Sequence, residues 1–387
     1  MSRVLPAVFS LCALAAPWAL GDDEAASEAA RRQIENRKGK IRAYLEVLKE
    51  EPDSTQLRLD VARACLELAE LGAVEVDGES VVHLAKDQAW LILTKEPEHQ
   101  VARGLVVLLE NHKLPPLVGP EEEAPEALLA AQAAFEAGDP AAAQAELDAL
   151  PTPPAAALLY RGACRLLLWD LAGAREALAA ILEKRPRDPH ALRYFAKCDE
   201  REGKFEGARD GYLRAIVEAP DLESAWQDLA WVARHAGQEV RRTRLAKLAT
   251  VREGEGGRLS IVLATSEKNP VTDSWLVYAA TRAKWRKETF AARFPAAKEY
   301  VHTFAEEREA WEKALGAWRH FQSKANGLTD PDLDRLGVLA AGGHLAAFVY
   351  VEEHDPAFRE ALGAEGGVSR DAVRLYLQDV VLVPRGQ

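Results

Sequence analysis

Two groups of histidines and carboxylates are the residues of this 387-residue sequence whose types and spacing could carry chemistry. His302 and Glu306 stand one helical turn apart, and His344 precedes the run Glu352-Glu353-His354-Asp355. Such residues could hold a metal ion or transfer a proton. Two ligands do not make a metal site, and the sequence has neither a His-Glu-x-x-His motif nor a cysteine pair at zinc-ligand spacing. We therefore predict no metal and no other cofactor.

Motifs of catalysis by a nucleophile or of phosphate binding are also lacking. The sequence has no Gly-x-Ser-x-Gly elbow, and the glycine cluster at 254–257 is predicted to be a linker because we see no strand before it and no lysine after it. The protein is thus predicted to be non-catalytic. A hydrolase or another enzyme with an unrecognised site in the C-terminal region stays open. It would show a deep pocket near His302, His344 or His354 with converging carboxylates.

The middle of the chain shows a 34-residue period. Apolar residues within each half-period follow helical spacing, and no alternating strand pattern is present. A fixed period of this length is typical of stacked supersecondary units that cannot bury their apolar faces alone. The recurring residues are Ala157, Ala191 and Ala225, then Gly173-Ala174 and Gly207-Ala208, then Pro186 and Pro220.

This pattern resembles the tetratricopeptide repeat, a helix–turn–helix unit of the same length, most strongly over residues 155–235. Units begin at Ala155, Pro189 and Glu223, and small residues such as Ala196 and Ala208 allow two helices to approach closely. The resemblance implies an all-α fold, a right-handed α-solenoid of helix–turn–helix repeats. We expect a helical C-terminal extension, to which the resemblance does not apply.

The resemblance also implies a binding surface, because the first helix of each tetratricopeptide unit lines a concave groove. Arg193 and Lys197 are similar in type to the basic residues that clamp a partner's terminal carboxylate in some of these domains, although the matching Asn and Lys of neighbouring repeats are missing. The predicted partner-binding residues are Tyr160, His190, Arg193, Tyr194, Lys197, Arg201, Gln227, Trp231, Arg234 and His235.

We therefore expect a protein–protein interaction scaffold that binds a protein or peptide of unknown identity, acidic or C-terminal in character. Two other interpretations stay open. The basic residues could simply solvate the groove while Trp231 packs against a following helix, or the array could be a structural spacer that exposes no aromatic residue.

The first residues of the chain predict export. Arg3 is followed by a short uncharged apolar stretch, and Ala19-Leu20-Gly21 provides small residues for cleavage just before Asp22. We expect a secretory signal at residues 1–21, no membrane span after its removal, and a periplasmic or extracellular location. Loss of Arg3 takes the net charge from −12 to −13, which argues against a general nucleic-acid binder.

The three cysteines outside this segment are predicted to be small buried apolar residues. Cys164 and Cys198 lie one repeat apart, and equivalent points of stacked repeats are about 10 Å apart, too far for a disulfide.

Composition and periodicity divide the chain into six predicted segments. They are the signal (1–21), N-terminal helices with a divergent repeat (22–113), a loop (114–125), the tetratricopeptide-like array (126–252), a linker (253–258) and a helical C-terminal region (259–387).

Overall fold

The structure is a computed structural model that divides into two compact units, Met1–Ala177 and Leu178–Gln387. The predicted signal at 1–21 and most of the predicted loop at 114–125 lie outside the described residues. The structure describes residues 24–110, 112–117, 125–150, 154–265, 269–324, 329–353, 355–364 and 366–386.

The first unit is built of helices with one small hairpin. The helices α2 and α3 pack against each other, and the segment between them forms β1 and β2. Ser54 and Ser80 begin these two helices by accepting a hydrogen bond from a backbone N–H in the first turn. The elements are α1 (Glu24–Glu50), α2 (Thr55–Glu70), β1 (Glu75–Val76), β2 (Glu79–Ser80), α3 (Val81–Leu93), α4 (Gln100–Leu108), α5 (Glu126–Glu136), α6 (Pro140–Asp148) and α7 (Ala155–Leu167).

The helix boundaries repeat with the predicted period. The first helices of three units, α7, α9 (Pro189–Arg201) and α11 (Glu223–His235), each have 13 residues and begin where the units were predicted to begin. The second helices, α8 (Leu171–Lys184) and α10 (Phe205–Glu218), each have 14 residues. The turns between them recur as well, because Trp169, Gly203 and Gly237 all adopt a positive φ.

Small residues set the contact between α9 and α10, as predicted. A Cβ added at Gly211 would lie 2.6 Å from the Cβ of Ala196, so the two helices touch backbone to backbone at this point. Ala191 and Ala225, at equivalent positions of successive units, are both fully buried. Close approach of this kind leaves no room for a larger side chain.

The repeated helices end at His235, earlier than the predicted end of the array at 252. In place of another helix, β3 (Gln238–Val240) pairs with β6 (Leu382–Pro384), and β4 (Ala249–Glu253) pairs with β5 (Leu259–Leu263), both in antiparallel register. The segment 253–258 is therefore the turn of a hairpin and not a linker. The glycines favoured a linker in the sequence, but the cross-strand partners hold them in a tight turn.

The C-terminal region is helical, as predicted, and packs on the last repeat helices of its own unit. Asp330 and Ser369 begin α15 and α17 by accepting hydrogen bonds from backbone N–H groups of the first turn. The helices are α12 (Pro270–Lys284), α13 (Phe290–Arg293), α14 (Phe304–Lys324), α15 (Pro331–Ala341), α16 (Leu345–Glu352) and α17 (Arg370–Tyr376).

Contacts between α10 and α17 hold this region in place. Arg370 makes two hydrogen bonds to Glu218 at 2.7 and 3.1 Å, and the Tyr350 hydroxyl donates to the carbonyl of Val217 at 3.1 Å. The C-terminal helices therefore pack against α10. The described residues are thus mostly helical, with three two-stranded sheets.

Candidate functional site

Six of the ten predicted partner-binding residues lie inside the protein. Only Gln227 and His235 are exposed, while His190 and Arg234 are half-buried. The buried six are Tyr160, Arg193, Tyr194, Lys197, Arg201 and Trp231. The prediction that Arg193 and Lys197 face a partner therefore needs correction, and the reason lies on α11.

Asp228 of α11 pairs with both of the cations that were predicted to bind a partner. Its carboxylate accepts a hydrogen bond from Arg193 Nε at 2.6 Å and another from Lys197 Nζ at 2.8 Å. Burial by itself lowers the pKa of Arg193, but the charge of Asp228 outweighs that effect, so that the pKa is raised and the guanidinium stays charged. The three residues form a closed ion-pair cluster between first helices of neighbouring repeats.

The sequence analysis missed Asp228, although the period carried a signal for it. Asp228 occupies the position of Tyr160 and Tyr194 in the two preceding units. Its separations from Arg193 and Lys197, 35 and 31 residues, bracket the repeat length. When repeats stack, residues about one period apart on the first helices lie side by side. A carboxylate of one unit could therefore have been expected to pair with a cation of the unit before it.

The aromatic residue of the predicted groove is also covered. Trp231 packs edge-on against Phe205 at the start of α10, with ring centroids 5.7 Å apart, and against His235 at 4.4 Å. Phe205 and His235 stack nearly parallel at 4.4 Å. Trp231 thus lies beneath a surface formed by Gln227, Arg234, His235 and Phe205, which we name the α11 surface.

Tyr160 and His190 have internal environments of their own. The Tyr160 hydroxyl donates to the carbonyl of Pro115 at 3.1 Å, and its ring packs on Phe135 with a centroid distance of 5.0 Å. Burial raises the pKa of Tyr160 to about 12. Burial likewise lowers the pKa of His190, which favours a neutral imidazole. Neither side chain presents a charge to a ligand.

The C-terminal cluster brings together residues that the sequence left apart. His302 lies between two carboxylates, with Nδ1 3.0 Å from Asp355 and Nε2 2.9 Å from Glu307. Glu306, its predicted neighbour one turn away, instead accepts hydrogen bonds from Tyr300 and Arg282. His344 lies apart from this cluster, 3.9 Å from Asp379. His354 is outside the described residues.

Glu307 is the centre of this cluster and is fully buried at the start of α14. Lys247 Nζ lies 3.0 Å from Oε1, and Arg282 Nε lies 3.4 Å from Oε2. The Tyr278 hydroxyl also donates to Oε1. Burial by itself raises the pKa of Glu307, but the hydrogen bond with His302 and the charges of Lys247 and Arg282 outweigh it and hold the pKa well below its usual range.

Glu353 differs from Glu307 because it borders a cleft. Burial and the nearby charge of Glu307 raise the pKa of Glu353, although Lys247 opposes this. The cleft has a volume of about 320 Å³ and is lined by Arg242, Thr243, Arg244, Leu245, Lys247, Phe348, Glu352 and Glu353. A carboxyl group with a raised pKa beside a cleft is a candidate for proton transfer.

The described residues also bear on cysteine chemistry, metal binding and membrane insertion. Cys65, Cys164 and Cys198 are free and buried, and burial raises the pKa of both Cys65 and Cys164 to about 12. Within the described ranges, no group of three or more His, Cys, Asp and Glu residues is arranged to hold a metal ion. Among the described helices, none combines the length and the apolar character needed to cross a bilayer.

Comparison with known proteins adds no relative from which a function could be transferred, because no family model and no curated protein matches the chain.

Proposed function

We propose that this chain is an exported, non-catalytic protein-interaction scaffold. In this proposal α7 to α11 are the repeats of a right-handed tetratricopeptide-like α-solenoid, and the C-terminal helices close its last unit. The location would be periplasmic or extracellular. The single observation that supports the proposal is the recurrence of helix starts and lengths with a 34-residue period. Repeated helix pairs create extended surfaces, and such surfaces bind proteins and peptides. This step rests on fold-level analogy.

The binding residues that we propose are the exposed remainder of the predicted set. Gln227 and His235 lie at the surface of α11. Arg234, which directly precedes His235, is half-buried. His235 stacks on Phe205, and buried Trp231 supports both rings from below. A polar rim over a rigid aromatic base has the composition of a binding hot spot.

The proposed ligand is a protein or peptide segment. Arg193 and Lys197 carried the expectation of an acidic or C-terminal partner, but both are buried and paired with Asp228. An acidic preference therefore depends on Arg234 and His235 alone, which would interact with a carboxylate at the rim. Rim charges affect association rate and salt dependence more than affinity.

Site-specific photocrosslinking in the native compartment tests the α11 surface. A photoreactive amino acid at Gln227 should give a discrete protein adduct. The same amino acid at Arg214, an exposed residue of α10, is the matched control and should not give that adduct. Adding His235→Ala to the protein that carries the photoreactive amino acid at position 227 should weaken the adduct with little change in thermal stability, because exposed substitutions have small effects on folding. Identical crosslinking at both positions would reject the surface.

A hydrolase is the second candidate, and one observation favours it. His302 lies between Asp355 and Glu307, close to a cleft that Glu353 borders. Carboxylates that converge on a histidine are the arrangement expected of acid–base catalysis. Hydrolysis of ester, phosphoester or peptide substrates by the purified protein, lost in Glu353→Gln and retained in His235→Ala, would support this candidate over the scaffold.

A further inference from the structure

The segment between β3 and β4 is an extended basic strap. Residues 241–247 have the sequence Arg-Arg-Thr-Arg-Leu-Ala-Lys and adopt neither helix nor strand. We name this segment the strap. From the sequence alone, this segment extends the basic character of the predicted groove and is expected to be a solvated face that caps the last repeat. The structure shows that the strap instead lies against carboxylates of the C-terminal helices, all within the second unit.

The strap is bound through its backbone as well as its side chains. The backbone N–H of Thr243 donates to Glu352 at 3.3 Å, and that of Ala246 donates to Asp332 at 3.0 Å. Arg242 Nε also contacts Glu352 at 3.3 Å. An extended segment whose backbone amides donate to fixed carboxylates is held in the way that a protein holds a bound peptide.

Lys247, at the end of the strap, places its ammonium group in a box of two aromatic rings and two carboxylates. Nζ lies 5.5 Å from the ring centroid of Tyr278 and 5.4 Å from that of Trp311. It donates to Glu307 at 3.0 Å and also to Glu353. We name Tyr278, Trp311, Glu307 and Glu353 the ammonium box.

The walls of the box are preformed and rigid. Trp311 packs edge-on against Trp275 and Phe348, with centroids 5.5 and 5.7 Å away, and Tyr278 packs against Trp311 at 5.1 Å. Glu307 is held independently by Arg282 and His302. Preorganised walls bind a cation without the cost of ordering side chains at the moment of binding.

The chemistry of the box selects a primary ammonium group. Aromatic faces attract any cation, including a quaternary one. Two carboxylates within hydrogen-bonding reach additionally require N–H donors, which a primary ammonium has and a tetraalkylammonium lacks. The box also opens to solvent, because 24% of the Lys247 side chain is exposed and both Lys247 and Glu353 line the 320 Å³ cleft.

We propose that the ammonium box is a lysine-recognition site, which Lys247 of the strap fills in cis and which takes a lysine from an extended basic segment of a partner protein when the strap leaves. The strap is then a built-in competitor for that partner. This site is separate from the α11 surface, and it depends on the proposed function only in taking a protein segment as its ligand.

Chemical rescue tests the box directly. Lys247→Ala removes a propylammonium equivalent, so the variant should have a lower thermal midpoint than the wild type. Added n-propylammonium chloride should raise that midpoint by at least about 2 °C, since binding to the folded state stabilises it in proportion to ligand occupancy. Equal concentrations of n-propanol, tetramethylammonium chloride and sodium chloride should not. If the variant is unfolded, the same amine should restore refolding.

Two matched controls belong to this assay. Wild-type protein should show no amine-dependent shift, because its box is already filled. Lys204→Ala removes a lysine that is paired with Glu202 on the surface, and it should show no rescue. Rescue by n-propanol as strong as by the amine, or no rescue by any of these compounds, would overturn the ammonium box.

Displacement of the strap in wild-type protein tests the partner. A peptide with the strap sequence in excess should increase hydrogen exchange at the amides of Thr243 and Ala246. The same peptide with norleucine in place of its lysine should need at least tenfold higher concentration for the same effect. Amine rescue without displacement would show a box filled permanently, and would overturn the partner claim while leaving the α11 crosslinking result untouched.

Discussion

The repeat helices and the C-terminal helices both bury cations against carboxylates, but the two clusters meet solvent differently. In the repeats, Arg193 and Lys197 have side chains that are 0% and 1% exposed, and Asp228 is 5% exposed. In the C-terminal region, 24% of the Lys247 side chain is exposed beside a cleft, although Glu307 is fully buried.

This difference separates a structural ion pair from a site that can exchange its ligand. A closed cluster can release a cation only by unfolding, because water cannot solvate the group that stays behind. A cluster with one open side can lose its cation to solvent and take another. The closed cluster holds two cations around one carboxylate, whereas the open cluster holds one ammonium group between two carboxylates. Exposure to solvent is the difference that permits exchange.

The largest expected effect comes from opening the closed cluster by mutation. Asp228→Asn leaves Arg193 and Lys197 buried beside each other without their shared anion, and it should lower the free energy of unfolding by about 3–5 kcal/mol. Urea denaturation followed by circular dichroism measures this. Asp210→Asn, which alters a half-exposed carboxylate 3.6 Å from Arg209, should change stability by less than about 1 kcal/mol. A loss of stability below about 1 kcal/mol in Asp228→Asn would contradict the interpretation of the closed cluster as a structural ion pair.

A smaller effect should appear in the pH dependence of stability. Glu353 has a raised pKa in the folded protein, so it binds a proton more tightly there than in the unfolded chain. Its contribution to stability is present below its ordinary pKa of 4.5 and is lost as the pH rises through the raised value. Glu353→Gln removes this term, so the variant should gain stability relative to wild type as the pH rises above 4.5.

The slope of that difference is bounded, since one group contributes at most about 1.4 kcal/mol per pH unit. The contribution of Glu307 to stability has the opposite pH dependence. Its pKa is lowered, so this contribution is lost as the pH falls below 4.5. Denaturation midpoints of wild type and Glu353→Gln at several pH values distinguish the contribution of Glu353 from that of Glu307. Parallel pH profiles would show that Glu353 is not the group that links the open cluster to solvent.

The smallest expected effect involves no charge and calibrates the scale of the other two. Gly203→Ala should cost about 1 kcal/mol, because Gly203 has φ near 72° and a left-handed backbone disfavours any Cβ. No atom lies within 4 Å of the added Cβ, so the cost is conformational only. Gly104→Ala, in the interior of α4 and equally uncrowded, should gain about 0.5–1 kcal/mol. Effects of the same sign in both variants would contradict the assigned turn.

Local features of the sequence predicted the helices well. The starts at Ala155, Pro189 and Glu223 follow from helical periodicity within a fixed repeat, and those at Asp330 and Ser369 follow from capping chemistry. The strands from Gln238 to Leu263 were missed or left undecided. Short strands depend on a partner that is distant in the chain, as the pairing of Val240 with Leu382 shows.

The candidate sites were predicted less completely for the same reason. Arg193, Lys197 and Trp231 were found by their spacing, but their exposure depends on Asp228 and Phe205, which approach them only in the folded chain. Lys247 was noted only as part of a basic run, because the two carboxylates and the two rings around it come from distant helices.

The sequence by itself determined where the first helices of three successive units begin and which of their positions must stay small. Those properties depend on hydrogen bonds and steric limits within a few residues, and a periodic sequence states them repeatedly. Only the tertiary structure decided which charges are neutralised and which remain within reach of solvent. That outcome depends on desolvation and on distances between residues far apart in the chain. The order of the residues does not give these distances.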